Sequence, residues 1–344
     1  MADRRGLAFG VAAYVLWGVF PLYWPLLEPA GAGEILAHRI LWSLVAVLAM
    51  LAVGRYWIRG MTWRRAGLLA GASVAITVNW GAFIWAVNNG HTLDVALGYF
   101  INPLISVLLG VLVFRERLRR WQWVSVGLGA GAVVVLTAGY GRPPWIAFVV
   151  AGAFGLYGLF KKFADMPSVE GLAVETAFMS LPALAFVLAL EGRGDAAFVH
   201  QGWLHAALVM GGGVVTAIPL LLFNGAATRL PLSVLGMLQY LAPVLQFAIG
   251  LLVRHEAMPP ERWAGFVLVW GALTVLTWDA LRAGRRARSS ARAAEHDRPG
   301  PPRSGRATGA GDHQVVRARV HFSSVRSNGR RAATRDPSAT YFID

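Results

Sequence analysis

The sequence predicts an all-α polytopic membrane protein: ten transmembrane helices as two inverted five-helix repeats, followed by a disordered, basic C-terminal tail. Three observations carry that prediction. Hydrophobic residues make up 56% of the 344-residue chain and charged residues only 15%, a balance well outside that of soluble domains. The apolar residues gather into blocks of about 20, the length a helix needs to cross a bilayer core. The blocks also repeat: displaced by 140 residues, 96–137 meets 236–277 with twelve identities.

The ten blocks are 6–27, 34–53, 66–87, 93–114, 121–139, 144–160, 168–190, 203–223, 231–253 and 262–281. Strands of the membrane-barrel type, alternating apolar and polar residues, are missing. The opening MADRRGLAFG has the charged start of a signal peptide. The block behind it is too long for a signal core and lacks a convincing cleavage site, so it reads as a retained first helix.

Basic residues give the orientation. With the N-terminus cytoplasmic, inner segments hold Arg4, Arg5, Arg55, Arg59, Arg64, Arg65, Arg115, Arg117, Arg119, Arg120, Lys161, Lys162 and Arg229. Outer segments hold only Arg142, Arg193, Arg254 and Arg262. Both termini are therefore expected on the cytoplasmic side of a bacterial-type inner membrane. The net charge of +14 does not point to nucleic acid, because +9 of it lies in 282–344. That tail is rich in Arg, Ala, Ser, Gly and Pro and cannot bury enough apolar surface to fold alone. Its expected contact is with anionic lipid headgroups.

The repeats divide the chain into 1–140 and 141–281, with the tail from 282. Pro103 meets Pro243, Gly110 meets Gly250, Glu116 meets Glu256 and Trp123 meets Trp263. Five spans are an odd number, so the second copy enters the membrane from the opposite side. Inverted repeats are a recurring plan of secondary carriers, with the substrate near the midplane at the repeat interface.

Several stretches carry a family resemblance: AYVLWGVFPLYW, ILAHRILWS, NWGAFIWAVNNGHTLDVALGYFINPL, VTAIPLLLF and LGMLQYLAPVLQF. They resemble the RarD group of EamA-type transporters, within the drug/metabolite transporter superfamily. The resemblance covers about residues 6–281 and implies ten helices, an inner-membrane location and carrier activity. The group carries chloramphenicol-linked labels, which do not give a natural substrate. The chain departs from the group's pattern at Ala96 and Val244, where Ser and Thr are expected.

Strongly polar groups inside membrane helices cost a few kcal/mol and usually face protein or water. Arg39 lies five residues beyond Glu34, roughly 7–8 Å deep at 1.5 Å per residue. Two readings stand: the guanidinium snorkels to the headgroups, or it lines a cavity to bind an anion or lock a gate. Glu34 and His38 share a helix face; an unperturbed histidine titrates near neutrality, so His38 suits either proton coupling or packing. Trp80 and Asn88 share a face of the third block, for substrate stacking or for helix packing.

Tyr99, Asn102 and Ser106 form a stripe on the fourth block, interrupted by Pro103. Gln239 and Gln246 match Tyr99 and Ser106 in the ninth block, with Pro243 between them. Paired Pro-interrupted helices with polar stripes are the best sequence pointer to a carrier site; the other reading is interhelical hydrogen bonding. Glu175, deep in the seventh block, suits a proton-carrying carboxylate or a partner for Lys161. Lys161 itself reads as a topology charge. Glu116 and Glu256 read as structural partners for nearby Arg. Trp17, Pro21 and Trp24 along the first block suit a gate hinge or a packed kink.

Other chemistry has no support. The chain has no Cys, no HExxH pair and no GK[ST] phosphate loop. No metal and no cofactor is expected. Gly127, Gly129 and Gly131 sit inside a membrane helix, where close packing explains them better than a dinucleotide turn. The sequence thus points to a carrier of a small metabolite or drug, amino-acid-like or amphenicol-like, with proton coupling as the simplest drive. The alternatives are a polytopic enzyme acting on a lipid or isoprenoid, which lacks its usual acidic or His cluster here, and a passive channel. A homodimer is compatible with the sequence.

Overall fold

A computed structural model of the chain describes residues 3–54, 58, 60–115 and 117–296. Glu116 and the tail beyond 296, with its expected lipid contacts, lie outside the described residues. A bilayer core offers no water to satisfy backbone N–H and C=O groups, so an apolar block crossing it must close its own hydrogen bonds as a helix. The elements are α1 (Arg4–Tyr23), which tightens into a 3-10 turn over Trp24–Leu27; α2 (Ala32–Gly54); α3 (Trp63–Asn88); α4 (Thr92–Phe114); and α5 (Arg120–Tyr140). The second half holds α6 (Trp145–Ala164), α7 (Ser168–Arg193), α8 (Gly202–Ala227), α9 (Leu232–Leu238), α10 (Leu241–Ala248) and α11 (Pro260–His296). α10 widens into a π turn over Ile249–Val253, and α9, α10 and this turn form one span.

Among the described residues, ten helical segments are long and apolar enough to cross a membrane. They coincide with the ten apolar blocks to within a few residues. Local chemistry sets several ends. The Asp3 carboxylate accepts the Arg5 N–H to start α1, and the Thr62 hydroxyl accepts the Arg65 N–H to start α3. Gly141 and Gly194 end α5 and α7 at φ 67° and 76°, a left-handed conformation that costs glycine little.

The two halves interlock with two-fold regularity. α3 packs on α6, and its counterpart α8 packs on α1. α2 packs on α8, and α7 packs on α3; α4 packs on α6, and α10 packs on α1. Each contact thus has a mate in which the repeats exchange roles, as inverted copies about an in-plane axis require. Small residues allow the closest approaches. A Cβ on Gly213 of α8 would lie 2.6 Å from the Trp42 backbone of α2.

Two prolines in matching places act differently. A proline ring clashes with the carbonyl four residues earlier. At Pro243 that carbonyl belongs to Gln239, and the span breaks there, between α9 and α10. At Pro103 it belongs to Tyr99, yet α4 runs through unbroken. Of the two interruptions expected, only the second divides its helix; α4 continues through its proline, packed against α6 and α10.

The chain divides into two compact units at Arg282. All ten spans and the site described next belong to the first. Of the second, 283–296 are described, all of them helical.

Candidate functional site

A cavity of about 240 Å³ lies inside the first unit, lined by α1–α4, α6–α8 and the α9–α10 break. α5 and α11 do not reach it; they pack against one another at their ends, with Trp121 and Trp278 edge-on at 5.1 Å and Arg119 paired to Asp279 at 2.7 Å. The volume is just below the roughly 300–1,000 Å³ range of small-molecule sites and leaves room for one small molecule.

A buried apolar layer adjoins the cavity and shares Phe20 and Phe83 with its lining. The layer also holds Trp24, Leu27, Ile35, Ile84, Val87, Val95, Ile146 and Val150, where α1 and α3 end and α2, α4 and α6 begin. Polar ties lace this face across the repeats. The Glu34 carboxylate accepts the backbone N–H groups of Ala197 and Phe198 at 2.8 and 2.9 Å. His38 stacks on the Phe198 ring at 4.2 Å. The Glu256 carboxylate accepts the N–H groups of Thr92 and Leu93, satisfying the first turn of α4, and Arg262 pairs with Asp94 at 2.8 Å. From this layer the cavity runs toward the opposite face, past Tyr14, Ser73, Leu172 and Phe223.

Arg39 lies directly beneath this layer. It is 4% exposed and lines the cavity. Its guanidinium carbon is 3.9 Å from the Trp80 ring centre, 4.9 Å from Trp24 and 5.8 Å from Phe20. Nε donates to the Thr216 hydroxyl at 2.9 Å. The side chain therefore does not snorkel; it folds inward into an aromatic box. Desolvated cation–π contacts are worth about 2 kcal/mol. Burying a charge costs several kcal/mol, so the box offsets part of that cost while leaving the charge uncancelled. No carboxylate among the described residues lies within ion-pair distance of Arg39.

Glu175 stands at the matching place in the second repeat. Arg39 is the eighth residue of α2 and Glu175 the eighth of α7. Glu34, Leu36 and Ala37 recur as Glu170, Leu172 and Ala173 at the same spacing. Glu175 also lines the cavity, but Lys161 Nζ donates to it at 2.9 Å, and the two side chains are 2% and 12% exposed. Gly171 leaves room for this approach, since a Cβ there would lie 2.8 Å from Nζ. Lys161 is therefore a buried partner rather than a surface topology charge. The pairing was one of the readings of Glu175; the topology reading of Lys161 fails because the residue, though at a helix end where such charges ordinarily face water, turns inward.

The remaining candidates separate into two groups. Trp17, Trp80, Tyr99, Asn102, Pro103, Gln239, Pro243 and Gln246 line the cavity. Asn79, next to Trp80 in α3, donates to the Val150 carbonyl at 2.8 Å and accepts from the Tyr99 hydroxyl at 3.2 Å. Gln246 donates to the Trp17 carbonyl at 3.3 Å. The side-chain oxygens of Asn102 and Gln246 are buried without a partner. Trp17 packs on Tyr14 and Phe223. Glu34, His38, Asn88 and Ser106 are not in the lining. The first two belong to the face of the buried layer. Asn88 ends α3, and the Ser106 hydroxyl donates to the Asn102 carbonyl of its own helix at 3.1 Å. Thr216 was missed; its signal is the recurrence of the Thr77 position in α8, since Thr77 and Thr216 both line the cavity.

Inverted repeats enclosing a cavity beside a buried apolar layer define the class: a multi-pass membrane transporter. The comparisons with known proteins make this specific. The EamA-like transporter family matches twice, over 4–138 and 143–278, and the chain belongs to that family. It is 58% identical to the protein RarD of Streptomyces exfoliatus over 296 residues, covering 85% of this chain and 94% of that one. It is 42% identical to the transporter YojE of Bacillus subtilis, covering 83% and 98%. A relative from Pseudomonas aeruginosa named chloramphenicol-sensitive protein RarD is 30% identical, covering 82% and 96%. The fold is also that of a crystal structure with a TM-score of 0.52 at 21% identity, covering 79% of this chain and 97% of that one.

Proposed function

We propose that the protein is a secondary carrier that moves a small metabolite or drug by alternating access. In this reading the two repeats, 1–140 and 141–281, rock about the cavity, and both termini lie on the cytoplasmic side of the inner membrane. The observation that carries the reading is the cavity itself: eight spans from both repeats line it, and a buried layer adjoins it. Opening that layer, the seal in this reading, while closing the other end exchanges access without a continuous pore. Its residues come from both repeats, so relative motion of the repeats parts them.

The Lys161–Glu175 pair supports proton coupling. Protonation of Glu175 would release Lys161, and the pair borders the cavity. The chloramphenicol in a relative's name makes amphenicols one class to test, beside amino acids and small aromatic metabolites.

The test is charge movement in proteoliposomes on a solid-supported membrane. The panel holds amino acids, small aromatic acids and chloramphenicol, with and without a proton gradient, and counterflow of labelled compound covers electroneutral exchange. Saturable, protein-dependent movement of a panel member is expected. Compounds equilibrating at the rate of protein-free liposomes in both formats would contradict the reading.

A further inference from the structure

We infer that the cavity selects a small monocarboxylate with a flat apolar body, its carboxylate seated on Arg39; the inference rests on the carrier reading of this cavity. Arg39 and Glu175 are the charged side chains lining the cavity, and Lys161 cancels one of them. Arg39 spends Nε on Thr216, and its other contacts are with ring faces. A ring face draws a cation but brings no negative charge. The site is thus short of one negative charge, at a depth where Coulomb attraction is far stronger than in water.

The planar guanidinium matches a carboxylate through two parallel N–H donors. A phosphate ester would bring a second negative charge for which the lining has no free cation, so a monoanion fits best. The walls specify the rest of the molecule. Trp17, Trp80, Phe83, Tyr99 and Phe154 present apolar rings around the cavity. Asn102 and Gln246 add amide side chains to the same walls.

The test is binding by the purified protein in nanodiscs, followed by Trp fluorescence and calorimetry. Matched acids and amides serve as probes: phenylacetate with phenylacetamide, mandelate with mandelamide, and 3-phenyllactate with its amide. At least one acid is expected to bind tenfold or more tightly than its amide. Arg39→Gln should abolish that preference, and Arg39→Lys should keep part of it. Acids and amides binding alike, no acid binding at all, or a preference that survives Arg39→Gln would each overturn the inference. If Arg39→Gln fails to fold, the acid–amide comparison in the parent protein and in Arg39→Lys still decides. Because binding is read apart from transport, acid-selective binding without movement would remove the carrier reading and keep the site. Movement without acid preference would do the reverse.

Discussion

Arg39 and Glu175 hold the same place in their repeats and solve the same problem in opposite ways. Glu175 is neutralised within the protein by Lys161, which sits 2.9 Å from one of its oxygens. Arg39 is surrounded by rings and one hydroxyl, which orient it and leave its charge exposed to whatever enters. The difference shows how inverted repeats diverge. Duplication supplies two equivalent positions, and divergence has given one an internal counter-charge and left the other without one.

The sharpest way to break the comparison is to remove each charge. Glu175→Leu strands Lys161 and should lower stability by about 3–5 kcal/mol, the usual cost of breaking a buried pair. Thermal unfolding of the purified protein checks this, and Lys161→Met with Glu175→Leu should recover most of the loss. Arg39→Met should leave unfolding unchanged or raise its midpoint, because no partner charge is stranded. Equal losses in the two variants would end the distinction.

The seal offers a smaller effect. Glu34→Ala leaves the N–H groups of Ala197 and Phe198 unmet, at about 1–3 kcal/mol if they stay buried. Opening of the seal relieves that penalty, so a cysteine at Val87, fully buried here, should label faster with a thiol reagent. Smaller again is Trp80→Leu, which removes the nearest ring from Arg39. It should weaken binding of the preferred acid several-fold by loosening the orientation of the guanidinium, and hardly alter binding of its amide.

The spans were legible in the sequence because lipid permits one backbone solution for a long apolar block. The repeat was legible because Pro103 and Pro243, and Trp123 and Trp263, keep their register. Of the stripe on α4, Tyr99 and Asn102 line the cavity, as do the glutamines of the ninth span, while Ser106 turns back to its own helix. What joins distant spans was not legible. Arg39 and Thr216 are 177 residues apart, and neither helix alone selects the other. Glu34 and His38 looked like cavity residues because they share a face with one another. The segment that covers that face, Ala197–Phe198, comes from the other repeat and turns them into part of the seal. Pro103 shows the same limit, its helix running unbroken where the proline alone suggests an interruption.

The most direct test of the account follows both ends of the cavity during transport. The chain has no cysteine, so single cysteines report without background. Thr77→Cys lies on the cavity wall and Val87→Cys in the seal. Labelling by a membrane-impermeant maleimide would be measured from each side of proteoliposomes, at rest and while a transported compound is cycling. The account predicts reciprocal change: Val87→Cys gains labelling from the sealed face as Thr77→Cys loses it from the opposite one. A seal that stays unlabelled while the compound continues to move would contradict alternating access at this cavity.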